Sequence, residues 1–247
     1  IKNFVNSSLD VEEGSVLFIN HDDKDKLDKY VDESLKKAKL VITSLNCSLN
    51  DEKLIKAKNY NEVYLDSYNY LCNDYESKNY FGITGTNGKT TTGFYLKELL
   101  GVESLFIGTN EDKLFSKITN EKHLTSPKLF HILKLLGRSD FRKYNNIILE
   151  ASSHALDQDR FNGIRFNTSG FTNLSQDHFD YHTNIENYFN SKLKLFSKQL
   201  SNKYVYIDNE WGNRVAQNSS LPSFKISSHA QADLQILEKK TYPKTSL

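Results

Sequence analysis

One segment, Phe81-Gly82-Ile83-Thr84-Gly85-Thr86-Asn87-Gly88-Lys89-Thr90-Thr91-Thr92, constrains the fold of this chain more than any other. An apolar strand over Tyr80–Thr84 runs into glycine-rich backbone, then Lys-Thr, then a helical stretch over Thr90–Leu100 carrying Phe94, Leu96, Leu99 and Leu100. Glycines let successive backbone N–H groups turn toward one anion, and a helix N-terminus adds its partial positive charge. Lys89 suits β- and γ-phosphate charge, and the Thr90 hydroxyl suits Mg²⁺. The strict pattern G-x-x-x-x-G-K-[ST] is not met, because position 83 is Ile and the glycines sit at 82, 85 and 88. The competing reading, a glycine-rich turn with a surface lysine, leaves the flanking strand and helix unexplained.

The rest of the chain after Asn79 continues the same alternation. A helix is expected over Pro127–Leu136, a strand over Ile147–Glu150, a strand over Phe171–Asn173, a helix over Asn184–Leu200 and a strand over Tyr204–Ile207. Strands alternating with amphipathic helices predict a mainly parallel, doubly wound sheet of the phosphate-loop type over residues 79–247. Residues 1–78 read as a separate, small α/β domain. Its strands are expected at Ser15–Ile19, Lys39–Thr43 and Asn61–Leu65, with a helix over Asp25–Lys37 whose Leu27, Tyr30, Val31, Ser34 and Leu35 recur at helical spacing. Asn46–Asn50 reads as a polar loop, and the polar stretch Leu71–Lys78 marks the boundary.

Composition removes several classes of function. Lys+Arg 32 against Asp+Glu 31 leaves a net charge of +1, which excludes nucleic-acid binding by bulk charge. Apolar runs such as Val16–Ile19 are too short to span a bilayer. No charged-then-apolar leader opens the chain. Cys47 and Cys72 lack paired redox or metal spacing, so reduced thiols in a cytoplasm are expected. The chain opens at Ile1 and holds no Met, which suggests either a trimmed fragment or methionines missing from the sequence.

Candidate chemistry clusters after the strands. Asn146–Glu150 is an apolar strand ending in a carboxylate and followed by Ala151-Ser152-Ser153-His154, at the sheet edge where open α/β folds bind ligands. Phe171-Thr172-Asn173-Leu174-Ser175-Gln176-Asp177-His178-Phe179-Asp180-Tyr181-His182 places two His and two Asp within six residues, favouring a metal or phosphate role for one of them. The next helix is expected to be capped by Thr183 with Glu186 three residues on, and to bury Ile185, Phe189, Leu193, Phe196 and Leu200. Lys192 falls off that stripe, beside Tyr188 and Leu195, and the local pattern allows a plain solvated lysine.

Five segments together, G-I-T-G-T-N-G-K-T-T-T (82–92), L-T-S-P (124–127), E-A-S-S-H-A-L-D-Q-D-R (150–160), F-T-N-L-S-Q-D-H-F-D-Y-H (171–182) and E-N-Y-F-N-S-K-L-K-L-F (186–196), resemble the Mur ligase family in family order. These are ATP-dependent enzymes that build the peptide stem of the bacterial cell wall. The resemblance implies that Gly85, Thr86, Asn87, Gly88, Lys89, Thr90 and Thr91 cradle ATP, with Lys89 on the γ side and Thr90 on one Mg²⁺. It also implies a second Mg²⁺ held by Glu150, His178 and a carbamylated Lys192. Thr125, Ser126, Ser152, Gln158 and Arg160 match the residues that hold the muramoyl dipeptide.

The motifs are most similar to the branch that adds a third amino acid, meso-diaminopimelate or L-lysine, to UDP-MurNAc-L-Ala-D-Glu through an acyl phosphate. A cytoplasmic monomer, with no nucleic-acid or membrane partner, is what that branch implies. The family's T-T-P is here Thr125-Ser126-Pro127, which keeps a hydroxyl. Its D-S-R before V-x-x-G stands here as Ser7-Ser8-Leu9 before Val11 and Gly14, so Ser8 remains for a uridine contact and the arginine is lost. The family's C-terminal, amino-acid-selecting domain has no counterpart before Leu247. Two rival readings are a folylpolyglutamate synthetase-like ligase and a binding module that senses nucleotide or muropeptide without ligating it. The N-terminal unit and Ser152-Ser153-His154-Ala155-Leu156 argue against the first.

Overall fold

Parallel pairing governs both sheets of the chain. A computed structural model describes residues 4–5, 8–21, 23–58, 78–109, 125–127, 132, 143–161, 164–229 and 231–238. The chain divides into two compact units, residues 1–73 and 74–247. Most of the sequence boundary at 71–78, the strand at 61–65 and most of the helix at 127–136 lie outside the described residues.

In the first unit, β1 (Phe4–Val5), β2 (Val16–Phe18), β3 (Leu40–Ser44) and β4 (Leu54–Ala57) pair in that order, all parallel. The crossover from β2 to β3 is helix α1 (Lys24–Leu35), capped by the Asp23 side chain, which accepts from the Lys26 N–H at 3.1 Å. Leu27, Val31 and Ser34 turn one face of α1 inward, and the two apolar residues pack with Val5, Leu17, Val41 and Cys47. Cys47 is a buried free thiol, pushed up in pKa by burial. Strand β4 has no sequence forecast, because its burial alternates weakly around the exposed Ile55.

Among the described residues the second unit holds seven strands. In chain order they are β5 (Asn79–Thr84), β6 (Ser104–Ile107), β7 (Asn146–Glu150), β8 (Thr168–Phe171), β9 (Tyr204–Ile207), β10 (Ser223–Ser227) and β11 (Leu234–Gln235). They pair in the order β11-β10-β9-β8-β5-β7-β6, every pair parallel. Helices α2 (Lys89–Leu100), α3 (Ser153–Asp157), α4 (Phe179–His182), α5 (Ile185–Leu193) and α6 (Glu210–Asn218) lie between them in sequence. The doubly wound parallel expectation therefore holds.

The winding reverses beside β5. The chain leaves β5 toward β6 on one side and later reaches β8 on the other, so the strand ends there form a crevice. Register sets which residues share it: Ile83 pairs with Glu150 and Thr84 with Phe171.

Three expectations are corrected. Strand β8 runs over Thr168–Phe171, three residues earlier than forecast, because Thr172 and Asn173 turn aside to bond the glycine loop. The helix forecast over 184–200 ends at Leu193 and tightens into a 3-10 turn over Lys194–Phe196. Its cap is Asn184, which accepts from the Asn187 N–H at 2.8 Å, and not Thr183. Thr183 sits at φ 63°, outside the extended geometry that an N-cap needs, and Glu186 instead pairs with Arg214.

Candidate functional site

The glycine loop is the first element of the site. Gly85 at φ 148° lies against the strand-end Thr172, where a Cβ would meet the hydroxyl at 1.9 Å, so only glycine fits. Gly88 at φ 84° opens α2 without a side-chain cap, and a Cβ there would meet nothing within 4 Å. The first-turn N–H groups of Lys89, Thr90 and Thr91 lack intrahelical acceptors by helix geometry, so they face an open space suited to an anion.

Lys89 folds back on this loop, donating to the carbonyls of Gly85 at 2.9 Å and Thr86 at 2.8 Å. An ammonium has three protons, so one remains for a phosphate oxygen. Burial lowers its pKa, while Glu150 and Asp177 pull it back up.

For Lys192 the structure excludes the solvated alternative that the local pattern allowed. The residue is 1% exposed, and its Nζ donates to the same Gly85 carbonyl at 3.0 Å. The Tyr188 ring covers the amine, 4.4 Å from Nζ to the centroid. Burial, then repulsion from Lys89, holds its pKa well below the ordinary lysine value. The stripe forecast holds at Phe189, Phe196 and Leu200 and fails at Ile185 and Leu193, which are only half-buried, because α5 buries Tyr188, Phe189, Ser191 and Lys192 together.

Glu150 ends β7 at 1% exposure. One carboxylate oxygen, Oε2, accepts from Thr109 Oγ1 at 3.0 Å, while Oε1 is buried without a hydrogen-bond partner. A buried carboxylate with an orphan oxygen is what a cation site needs. Among the described residues no group of three or more His, Cys, Asp and Glu converges as a ready-made metal cage. The set that the resemblance implies for one ion, Glu150, His178 and a carbamylated Lys192, contains only two residues of those types.

His178 stands at φ 55° on the exposed side, its Nε2 3.5 Å from Asp177 Oδ2. His154 packs edge-to-face against both it and His182, with centroid separations of 4.9 and 5.4 Å. Burial lowers the pKa of both His154 and His182.

A third cluster joins all five residues assigned to the dipeptide. Ser126 Oγ donates to the Glu150 carbonyl at 2.6 Å, accepts from the Ser152 N–H at 2.9 Å and sits 3.0 Å from Ser152 Oγ. Thr125 Oγ1 lies 3.4 Å from Thr109 Oγ1. Arg160 donates to Gln158 Oε1 through Nε at 2.9 Å and Nη2 at 2.5 Å, and to the Ser126 carbonyl through Nη1 at 2.9 Å. Ser126 is thus the hinge between the carboxylate strand and the guanidinium. Thr90 and Thr91 stand on the first turn of α2, and Ser8 lies in a short 3-10 turn of the first unit.

Residues that the sequence reading did not single out complete the picture: Thr109 on Glu150, Tyr188 over Lys192, and Thr172 and Asn173 on the loop. Thr172 and Asn173 were visible in the motif at 171–182, but nothing in the pattern shows which carbonyl they reach. Among the described residues no helix is long and apolar enough to cross a membrane.

Known proteins place this arrangement in context. Residues 83–246 match the family model described as the Mur ligase middle domain. The UDP-N-acetylmuramoyl-L-alanyl-D-glutamate--2,6-diaminopimelate ligase of Clostridium tetani is 30% identical over 249 residues, which take in 95% of this chain and 50% of that protein. The enzyme of the same name from Clostridium botulinum is 40% identical over 156 residues, 62% of this chain and 32% of that one. A solved structure of a UDP-N-acetylmuramoyl-L-alanyl-D-glutamate--2,6-diaminopimelate ligase superposes at TM-score 0.72 and 23% identity, over 94% of this chain and 49% of that one, a likeness of fold. The chain spans half the length of these curated relatives, or less.

Proposed function

Because the chain belongs to the Mur ligase family, we propose that it supplies the phosphate-loop and dipeptide-binding parts of a cytoplasmic ligase. That enzyme joins a third amino acid to UDP-MurNAc-L-Ala-D-Glu with ATP. The names of the relatives favour 2,6-diaminopimelate as that amino acid. The observation that carries the proposal is the convergence of two lysine amines, Lys89 and Lys192, on one carbonyl, that of Gly85, at 2.9 and 3.0 Å. One amine belongs to the phosphate loop and the other to a buried helix face, so the two halves of the reaction centre share an atom.

Joining a carboxylate to an amine in water is uphill, so the carboxylate is activated first. Its oxygen attacks the γ-phosphorus of ATP, giving an acyl phosphate and ADP. The incoming amine then displaces inorganic phosphate and forms the amide. Both steps crowd anions together, and cationic groups offset that repulsion.

Lys89 holds the γ side with its third proton, and the open first turn of α2 receives phosphate oxygens. Arg160, oriented by Gln158 and Ser126, presents a planar fork to a substrate carboxylate. Ser8, in the first unit, is assigned to the uridine end.

Mg²⁺ fits the residues present, on the ground of the orphan Glu150 Oε1 and the Thr90 hydroxyl beside the loop. Glu150, His178 and Lys192 would hold one ion and Thr90 another, lowering the charge repulsion between phosphate and carboxylate. Lys192 suits carbamylation: a buried amine with a depressed pKa is uncharged often enough to attack CO₂, forming an N–C bond and releasing one proton. The carbamate replaces a cation that would oppose the metal with an anion that binds it.

The test uses the full-length protein with ATP, UDP-MurNAc-L-Ala-D-Glu and either diaminopimelate or lysine, reading ADP release and tripeptide formation. Absence of product with both amino acids would sink the ligase reading. Tight binding of the muramoyl nucleotide without ATP turnover would instead favour a sensing module. For the carbamate, Lys192→Ala should be nearly inactive and regain part of its activity with added acetate. A plain amine at Lys192 in a crystal holding Mg²⁺ and nucleotide would refute it.

A further inference from the structure

The N–H groups of the glycine loop divide into two sets. Those of Lys89, Thr90 and Thr91 open toward the anion space, as described above. Those of Thr86 and Asn87 do not, because the segment after β8 has claimed them. The Thr86 N–H donates to the Asn173 carbonyl at 3.0 Å, and the Asn87 N–H donates to Asn173 Oδ1 at 3.0 Å.

The same segment grips the other side of the Asn87 peptide. Thr172 Oγ1 donates to the Asn87 carbonyl at 2.7 Å, and Asn173 Nδ2 donates to it at 3.1 Å. Thr86 Oγ1 closes the bracket by accepting from the Ser175 N–H at 3.0 Å and donating to the Ser175 carbonyl at 3.2 Å. Gly85 fits beneath this bracket only because it has no side chain, since a Cβ would also lie 3.0 Å from the Asn173 carbonyl.

We propose that Thr172 and Asn173 are positioning residues for the phosphate loop, setting nucleotide affinity by fixing the Asn87 peptide so that the N–H groups of residues 89–91 stay aimed at one point. The inference rests on the reading of 85–91 as a nucleotide loop and goes beyond it, because both residues act through the Asn87 backbone. The physical reason is pre-organisation. A glycine-rich loop is free to explore many backbone states, and ordering it at the moment of binding costs affinity. Two hydroxyl- and amide-borne hydrogen bonds on one carbonyl, with a third on the adjoining N–H, remove that freedom beforehand. The bracket is followed in sequence by Asp177 and His178.

The experiment measures binding of a non-hydrolysable ATP analogue with Mg²⁺ to the full-length protein by calorimetry, alongside the thermal midpoint. Thr172→Val keeps the shape and deletes the hydroxyl donor, and should weaken binding about fivefold, as expected for one hydrogen bond. Asn173→Ala removes an acceptor and a donor and should weaken it about tenfold or more. Thr172→Ser, which restores the hydroxyl, should recover part of the affinity lost in Thr172→Val. In steady-state assays the ATP KM should rise in step while kcat at saturating ATP changes much less. Equal nucleotide affinity for Thr172→Val and wild type would overturn the inference, as would a loss that Thr172→Ser does not recover. A wild-type protein that fails to bind the analogue would instead overturn the nucleotide reading on which the inference stands.

Discussion

At the scale of single residues, the site is built from polar groups that burial has made costly. Lys192 is the clearest case, because its charged form pays for desolvation and for the neighbouring Lys89. A lysine whose folded pKa lies below its unfolded value penalises folding at every pH below that folded pKa. The penalty fades as pH rises toward the ordinary value of 10.5. Lys192→Met is therefore expected to be inactive yet no less stable at neutral pH without bicarbonate, read as thermal midpoint against turnover. A large drop in midpoint would mean that Lys192 is chiefly structural. Lys89→Ala, by contrast, should lose ATP turnover at a transition-state cost of about 3 kcal/mol, with the circular dichroism spectrum unchanged. Wild-type turnover in that variant would show that 85–91 is not a phosphate loop. Sequence alone made Lys89 legible, because a lysine after glycine at a helix start has few other uses. It singled out Lys192 but not its burial, because a helical stripe counted from aliphatic residues misses a face made of Tyr188, Ser191 and Lys192.

Individual elements show why some boundaries were readable and others were not. Helix α2 buries only Gly93, where a Cβ would lie 2.2 Å from the Phe106 ring of β6. The helix can approach the sheet only at a residue without a side chain. Gly93→Ala should cost about 1–3 kcal/mol through overpacking, measured as a fall in the denaturant midpoint. No change in midpoint would mean that α2 does not sit tightly on β6. At the far side of the sheet, Asp208 follows β9 and accepts from Asn213 Nδ2 at 2.9 Å and Ser227 Oγ at 2.8 Å, with Lys225 Nζ 3.1 Å away. These bonds lower its pKa from 3.8 to about 2. The stability they contribute is present above the unfolded value of 3.8 and is lost as pH falls toward about 2. Asp208→Asn should flatten the thermal midpoint across that interval, and an unaltered acid profile would show that the tie between β9 and β10 is not held by charge. Strands β10 and β11 and helix α6 escaped the sequence reading. The partly exposed, mixed residues of the two strands, such as the burial run of Ser223–Ser227, carry little periodicity.

For the whole molecule, the decisive fact is that adjacent parallel strands carry different chemistry to one crevice: the glycine loop after β5, the carboxylate with Ser152, Gln158 and Arg160 after β7, and the histidine arm after β8. Phosphate and dipeptide should then respond separately to mutation. Arg160→Lys keeps the charge but loses the planar fork, so it should raise the KM for the muramoyl nucleotide at least about tenfold while leaving the ATP KM nearly unchanged. Equal effects on the two constants would assign Arg160 to phosphate. The sequence by itself determined the fold class, the glycine loop with Lys89 and the strand-end Glu150, while the set of Thr125, Ser126, Ser152, Gln158 and Arg160 came only from the resemblance to the Mur ligase family. The first three features are local: a strand, a turn or a spacing of a few residues encodes each. Only the tertiary structure decided that Lys192 is buried on the Gly85 carbonyl, that Glu150 keeps one oxygen unpartnered, and that Thr172 and Asn173 hold the loop. Lys192 meets Gly85 across 107 positions of sequence and Asn173 meets Asn87 across 86. Contacts of that range arise from the register of parallel strands, which no local pattern of residues specifies.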